Sequence, residues 1–133
     1  MQTGRCLCGS ITYEIEGDVL GTVVCHCDHC QRQSGSAFSV NLVALESQLH
    51  VSGELKTFNE LDENGELCVQ RRFCGDCGSP IVSVLTRPAG IVAIKVGTLD
   101  DKSAVSPTTE AWCVDKQPWV VALPGMSTSL ERE

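Results

Sequence analysis

A mainly β fold follows from three features of this sequence: short β-branched or alternating runs, turn signals between them, and scarcely any helical periodicity. Ile11-Thr12-Tyr13-Glu14-Ile15-Glu16 alternates apolar with polar and stops at Gly17-Asp18, the pattern of a strand with one buried face. Val19 to Cys25 is a β-branched run interrupted by Gly21, and Phe38 to Leu45 follows it. Leu49-His50-Val51 ends at Ser52-Gly53, with Leu55-Lys56-Thr57-Phe58 next. Glu66 to Phe73 alternates again behind Asp62-Glu63-Asn64-Gly65, which reads as a hairpin turn. Ile81 to Leu85 and Ile91 to Val96 are further apolar runs joined by Arg87-Pro88-Ala89-Gly90. Strands at this spacing predict sheets that stack or partly close. The one helical candidate is a turn over Asp28 to Ser34, ended by Gly35. Residues 127–133 are polar and terminal, and are expected to fray.

At 133 residues the chain is expected to form one domain, 1–133, with a core that needs no covalent staples. Mean hydropathy is +0.03, and no apolar run approaches the roughly 20 residues that span a bilayer, so no transmembrane helix is predicted. Met1-Gln2-Thr3-Gly4-Arg5 runs into Cys6 with no apolar stretch, so a secretory signal is not expected and a reducing, cytoplasmic location is. Nine cysteines cannot all pair as disulfides, and metal ligation is the better use of them. The formal charge of −7 opposes contact with nucleic acid phosphates and anionic lipid, and the only adjacent basic pair is Arg71-Arg72. Neither nucleic acid nor membrane is expected as a partner. A homodimer is compatible with this pattern, since an exposed edge strand could pair two chains, but the sequence singles out no edge.

The cysteines fall in three clusters: Cys6-Leu7-Cys8-Gly9, Cys25-His26-Cys27-Asp28-His29-Cys30 and Cys74-Gly75-Asp76-Cys77-Gly78. CxxCG is a zinc knuckle, whose turn lets both sulfurs face one ion while glycine relieves the backbone. In an extended CxC, both sulfurs project to the same side. A structural zinc takes four ligands with no vacancy, so Cys6, Cys8, Cys74 and Cys77 make a closed site tying the N-terminus to the middle of the chain. Cys25, Cys27 and Cys30 remain. Three ligands with an open position are the pattern of a catalytic or substrate-binding zinc. The alternative is a second structural site closed by His29, Cys68, Cys113 or His26, of which His26 is the poorest because it projects away from its neighbours.

In this order, the motifs resemble the glutathione-dependent formaldehyde-activating enzyme family, which includes the conserved domain of centromere protein V. The resemblance rests on Gly4-Arg5-Cys6-Leu7-Cys8-Gly9, on the middle cluster followed by Ser34-Gly35-Ser36-Ala37-Phe38, and on Arg72-Phe73-Cys74-Gly75-Asp76-Cys77-Gly78-Ser79-Pro80. Val96-Gly97-Thr98-Leu99-Asp100-Asp101 and the pair Trp112 and Trp119 extend it. It implies an Mss4-like fold, a β-tent of small antiparallel sheets pinned by a structural zinc. It also implies two Zn2+ per chain, one held by the first and third clusters and one, associated with activity, by Cys25, Cys27 and Cys30. The implied reaction joins glutathione and formaldehyde into S-hydroxymethylglutathione, a carbon–sulfur lyase chemistry whose partners are a small thiol and a small aldehyde. The other reading is a non-catalytic protein-interaction or chaperone-like module on the same scaffold.

Around the middle cluster, Ser34, Gly35 and Ser36 either present backbone N–H groups to a substrate carboxylate or simply stop a helix. Trp112 and Trp119 either line a pocket mouth or serve as core or lid packing, the commoner role. Cys68 and Cys113 read as buried small hydrophobes, and His50 as a surface residue. Arg71 and Arg72 read as surface ion pairs, with a glycyl carboxylate as the other possible partner.

Overall fold

Because side chains alternate along a strand, each alternating run must set one face against a partner sheet, and two sheets result. The computed structural model describes residues 1–121 and 123–128. The strands are β1 (Gln2–Arg5), β2 (Thr12–Ile15), β3 (Gly21–Cys25), β4 (Ser39–Leu45), β5 (Leu49–Ser52) and β6 (Leu55–Leu61). They continue with β7 (Leu67–Cys74), β8 (Pro80–Thr86), β9 (Ala89–Lys95), β10 (Thr109–Ala111) and β11 (Ser127–Thr128), and the single α-helix among the described residues, α1 (Asp28–Ser34), follows β3. One sheet has three strands in the order β1-β2-β5, and the other has eight in the order β11-β10-β3-β4-β9-β8-β7-β6. Pairing is antiparallel except where β10 runs parallel to β3 and to β11. The fold is mainly β, as the sequence predicts. Among the described residues, no helix is long and apolar enough to cross a membrane.

The predicted runs are all occupied by strands, and β6 continues three residues past Phe58 to the predicted turn. Asp62 Oδ1 closes that turn by accepting from the N–H groups of Asn64 and Glu66 at 2.8 and 3.0 Å. Strands β1, β10 and β11 lack a readable hydrophobic pattern; they form because neighbouring backbones supply hydrogen bonds. Ser127 and Thr128, placed by the sequence in a fraying tail, instead pair with Thr109 and Glu110. Residues 129–133 lie outside the described residues.

The apolar core lies between the two sheets. The large sheet contributes Leu42, Ala44, Val82, Val84, Val92 and Ile94, against Ile11, Tyr13 and Ile15 of the small sheet's hairpin and Leu99. Gly4 fixes how closely β1 can lie against that core. A Cβ there would come 2.6 Å from the Thr98 carbonyl oxygen and collide with the Tyr13 ring. The Tyr13 hydroxyl is held by Thr98 Oγ1 at 2.7 Å, so the ring cannot retreat without losing that bond. Gly4→Ala is therefore expected to cost about 3 kcal/mol, and so lower Tm by roughly 10 °C. A thermal melt indistinguishable from wild type would contradict this packing.

The opposite face of the large sheet is polar. Pairing of Cys25 with Ser39, Asn41 with Lys95, Ser83 with Ala93, and Arg71 with Ser83 places Cys25, Ser39, Asn41, Lys95, Ser83 and Arg71 on that one face. Helix α1 starts beside it. Cys27 is its N-cap, with Sγ accepting from the Cys30 N–H at 3.1 Å, and Gly35 ends it in the left-handed conformation at φ 66°. His29, in its first turn, reaches across to Glu60 of β6 at 2.9 Å.

Candidate metal centres

The first centre joins two tight turns at strand ends. After β1, the Gly9 N–H donates to the Cys6 carbonyl at 3.2 Å, and the Ile11 N–H donates to Cys6 Sγ at 3.3 Å. After β7, the Gly78 N–H donates to the Cys74 carbonyl at 2.9 Å, and the Asp76 N–H donates to Cys74 Sγ at 3.4 Å. The four sulfurs of Cys6, Cys8, Cys74 and Cys77 all lie within 4.8 Å of one another. Cys6 and Cys8 are separated by 3.6 Å, and Cys8 and Cys74 by 3.8 Å. A tetrahedron with Zn–S bonds of about 2.3 Å has edges of about 3.8 Å, so the donor set fits that ion. Burial pushes the Cys6 thiol up, but the Ile11 N–H and neighbouring Cys8, Ser10 and Cys74 outweigh it, lowering the pKa to about 7. The Ser79 hydroxyl, 3.2 Å away, is the largest of the influences that lower Cys77 to about 5. Because Cys6 and Cys8 follow a strand of the small sheet, and Cys74 and Cys77 end a strand of the large one, an ion here would clamp the two sheets together.

The second centre sits where β3 passes into α1. The sulfurs of Cys25, Cys27 and Cys30 lie within 4.8 Å of one another. Hydrogen bonds from Cys25 and Cys27 hold the Cys30 thiol far below its ordinary range, while the same contacts push Cys25 up. Three thiols so close cannot all ionise unaided, whereas a divalent cation would let them, and the trio fits such an ion. The four candidate closing ligands are occupied elsewhere. His29 is 63% exposed and bonded to Glu60. His26 is fully buried, its Nε2 at 2.9 Å from Glu110 Oε1. Cys68 Sγ faces the Glu60 carbonyl at 3.3 Å, and Cys113 Sγ the Glu110 carbonyl at 3.8 Å. Cys68 and Cys113, expected as buried hydrophobes, are half-buried and directed at carbonyls. His26, Glu110 and Cys113 form their own group, within 4.8 Å of one another and capped by Lys116 at 3.1 Å from Glu110 Oε1. This group braces the Cys25-His26-Cys27 bend, since the His26 N–H donates to the Ala111 carbonyl at 3.0 Å.

Beside the trio runs a buried polar network that the sequence reading missed. Lys95 Nζ donates to Asn41 Oδ1 at 2.9 Å, and Asn41 Nδ2 donates to Ser39 Oγ at 3.0 Å. Burial pulls the Lys95 amine below the usual lysine range, opposed by the cysteine trio. Arg71 corrects an expectation: it is not a surface residue but is 7% exposed, with Nε donating to Glu60 Oε1 at 2.8 Å. Arg72 is half-buried and donates to Gln70. Arg71 escapes the surface because β7 is flanked by β6 and β8 and its side chain is held against Glu60 of β6. The available signal was a lone polar residue inside an apolar run: Asn41 between Val40 and Leu42, Ser83 between Val82 and Val84, Lys95 between Ile94 and Val96. His50, by contrast, is exposed and pairs with Glu16, as expected.

The remaining predicted contacts lie on another side. Gly35, Ser36 and Trp119 line one open pocket of about 460 Å³ together with Asp28, Gln31, Arg32 and Gln117. Along a helix, positions 28, 31, 32 and 35 share a face, whereas 27, 30 and 34 share a different one. The pocket and the cysteine trio are therefore on different flanks of α1, and Ser34 falls on the trio's flank. Trp119 is 72% exposed, so it is not the core or lid packing expected of it. Trp112 is half-buried, does not line this pocket, and adopts a left-handed φ of 55°.

A mainly β scaffold with two separate cysteine clusters, each able to hold a metal ion, defines the class of protein. The chain belongs to the glutathione-dependent formaldehyde-activating enzyme family, whose model matches residues 1–115. Comparison with curated proteins found no match. Among solved structures, the crystal structure of a Rhodobacter sphaeroides protein, a structural genomics target, is similar with a TM-score of 0.60 at 21% identity. The match covers 79% of this chain and 91% of that one, a likeness of fold.

Proposed function

We propose that this protein is a cytoplasmic, zinc-dependent carbon–sulfur lyase-type enzyme acting on adducts of a small thiol, such as glutathione, with a small aldehyde, such as formaldehyde. The observation that carries this reading is the group of three cysteines, Cys25, Cys27 and Cys30, with no fourth donor among the described residues. In the adduct-forming direction, a carbon–sulfur bond forms, the carbonyl π bond becomes a hydroxyl, and the thiol proton ends on that oxygen. When bound by the three cysteines, a zinc ion would keep an arriving thiol ionised at neutral pH. Around it, the chain's residues hold the geometry: Cys27 caps α1, the His26–Glu110 pair braces the bend, and α1 is tied to β6 through His29 and Glu60. The second zinc, on Cys6, Cys8, Cys74 and Cys77, would be structural. Ser34, on the trio's flank of α1, is proposed to contact the body of the thiol substrate, with Gly35 and Ser36 beside it at the helix end.

A non-catalytic interaction module is the second reading, favoured by the exposed apolar side chains of Val114, Trp119 and Val121. Calorimetric titration of glutathione into the two-zinc protein, in buffers of different ionisation enthalpy, separates the two. The enzyme reading expects binding with release of close to one proton, abolished in Cys30→Ala. No binding by the zinc-loaded protein refutes glutathione as its thiol.

A further inference from the structure

We infer that Lys95 is the positive charge that turns the position beside Cys25, Cys27 and Cys30 into a site for a small anionic ligand, selecting thiolate-like anions over neutral molecules. The inference deepens the proposed function and rests on its reading of the three-cysteine centre.

A buried ammonium is costly unless a charge or a full set of acceptors compensates it. Lys95 is 7% exposed, and its one side-chain hydrogen bond among the described residues goes to the neutral amide oxygen of Asn41. Among the described residues it makes no ion pair with a carboxylate. The other buried cation on this face, Arg71, is different, because Glu60 neutralises it at 2.8 Å. Cys25 lies on the same sheet face as Lys95, on the strand beyond Asn41, and Cys27 and Cys30 sit on the segment that leaves that strand. Strand register supports this, since Asn41 lies opposite Lys95 on β9, and Ser39, two residues before Asn41, lies opposite Cys25 on β3.

Three thiolates on a divalent cation leave one negative charge. An anionic fourth ligand would add to it and be repelled. Lys95 brings the sum to zero before the ligand arrives, which removes that penalty. Ser83 Oγ, on the same face, is buried and has no hydrogen-bond partner among the described residues, so a further polar group stands ready beside the row. A lysine serving only to pack the sheet would need neither the cysteines' charge nor a place in this network.

The test is to load the protein with cobalt(II) and titrate it with sodium azide, following the cobalt absorption bands in wild type, Lys95→Met and Lys95→Arg. Azide affinity is expected to fall about tenfold in Lys95→Met and to stay within about twofold in Lys95→Arg, because a unit charge inside a protein contributes on that order to the binding of an anion. Equal azide affinity in wild type and Lys95→Met, with or without a lower Tm, overturns the inference, as does no azide binding to wild type. Should Lys95→Met fail to hold cobalt, wild type alone decides by comparing 3-mercaptopropionate with cysteamine. Tighter binding of the anionic thiol supports the role of Lys95, and equal or reversed affinity overturns it. A protein that ignores glutathione but binds azide in a Lys95-dependent way refutes glutathione as substrate and upholds this inference.

Discussion

Cys74→Ser is expected to leave the chain without its first metal and without a cooperative fold. Cys74 is 1% exposed and lies in the apolar core cluster together with Cys6. Its sulfur is 3.8 Å from Cys8, on the far side of the junction between the two sheets. Serine is close in size, but its hydroxyl does not ionise near neutrality, so the four-thiolate set is lost rather than merely reshaped. Structural zinc in small domains contributes about 10–16 kcal/mol, whereas the net stability of a whole domain is only about 5–15 kcal/mol. Losing the ion should therefore exceed what the core alone can supply. Metal analysis and circular dichroism check this: one zinc fewer and no thermal transition are expected, and a strong chelator should do the same to wild type. A Cys74→Ser protein that still carries two zinc ions and melts within a few degrees of wild type would remove the clamp from the account.

Cys27→Ser is expected to have the opposite profile, a functional loss with the fold kept. Cys27 both belongs to the three-cysteine centre and caps α1, and serine is itself a favoured N-cap, so the helix start survives. The strands are held by the core, and the proposed structural zinc would add its clamp through other cysteines, so neither involves Cys27. A centre reduced from three thiolates to two has little hold on a zinc ion. Thiol-adduct formation should fall by more than about 100-fold, since even partners one shell outside a metal typically cost about 10–100-fold. Zinc content is expected to drop from two to one while Tm shifts by only a few degrees. Retained activity with one zinc per chain would place the chemistry elsewhere.

These two outcomes differ for a reason legible in cysteine spacing. CxC near the start and CxxCG near the middle each supply half of a tetrahedron, and neither is complete until the chain folds back on itself. CxCxxC places three donors within one short segment, so local geometry alone assembles them. Most strands and α1 were equally legible, because alternation and a terminal glycine act over a few residues. Strands β10 and β11 were not: Thr109-Glu110-Ala111 becomes a strand against the edge of β3, and Ser127-Thr128 against the edge that β10 then presents.

By itself, then, the sequence determined a mainly β chain, the positions of the strands from β2 to β9, the single helical turn and the grouping of seven cysteines into four and three. All of these follow from periodicity and spacing, which are local. Tertiary structure alone decided that Arg71 and Lys95 are buried beside the trio, that His29 turns to Glu60 instead of a metal, and that Trp119 faces solvent across α1 from Cys30. Those outcomes depend on which sheet face is covered and by what. Burial and electrostatic environment are properties of the packed neighbours, and a side chain's own residue type does not carry them.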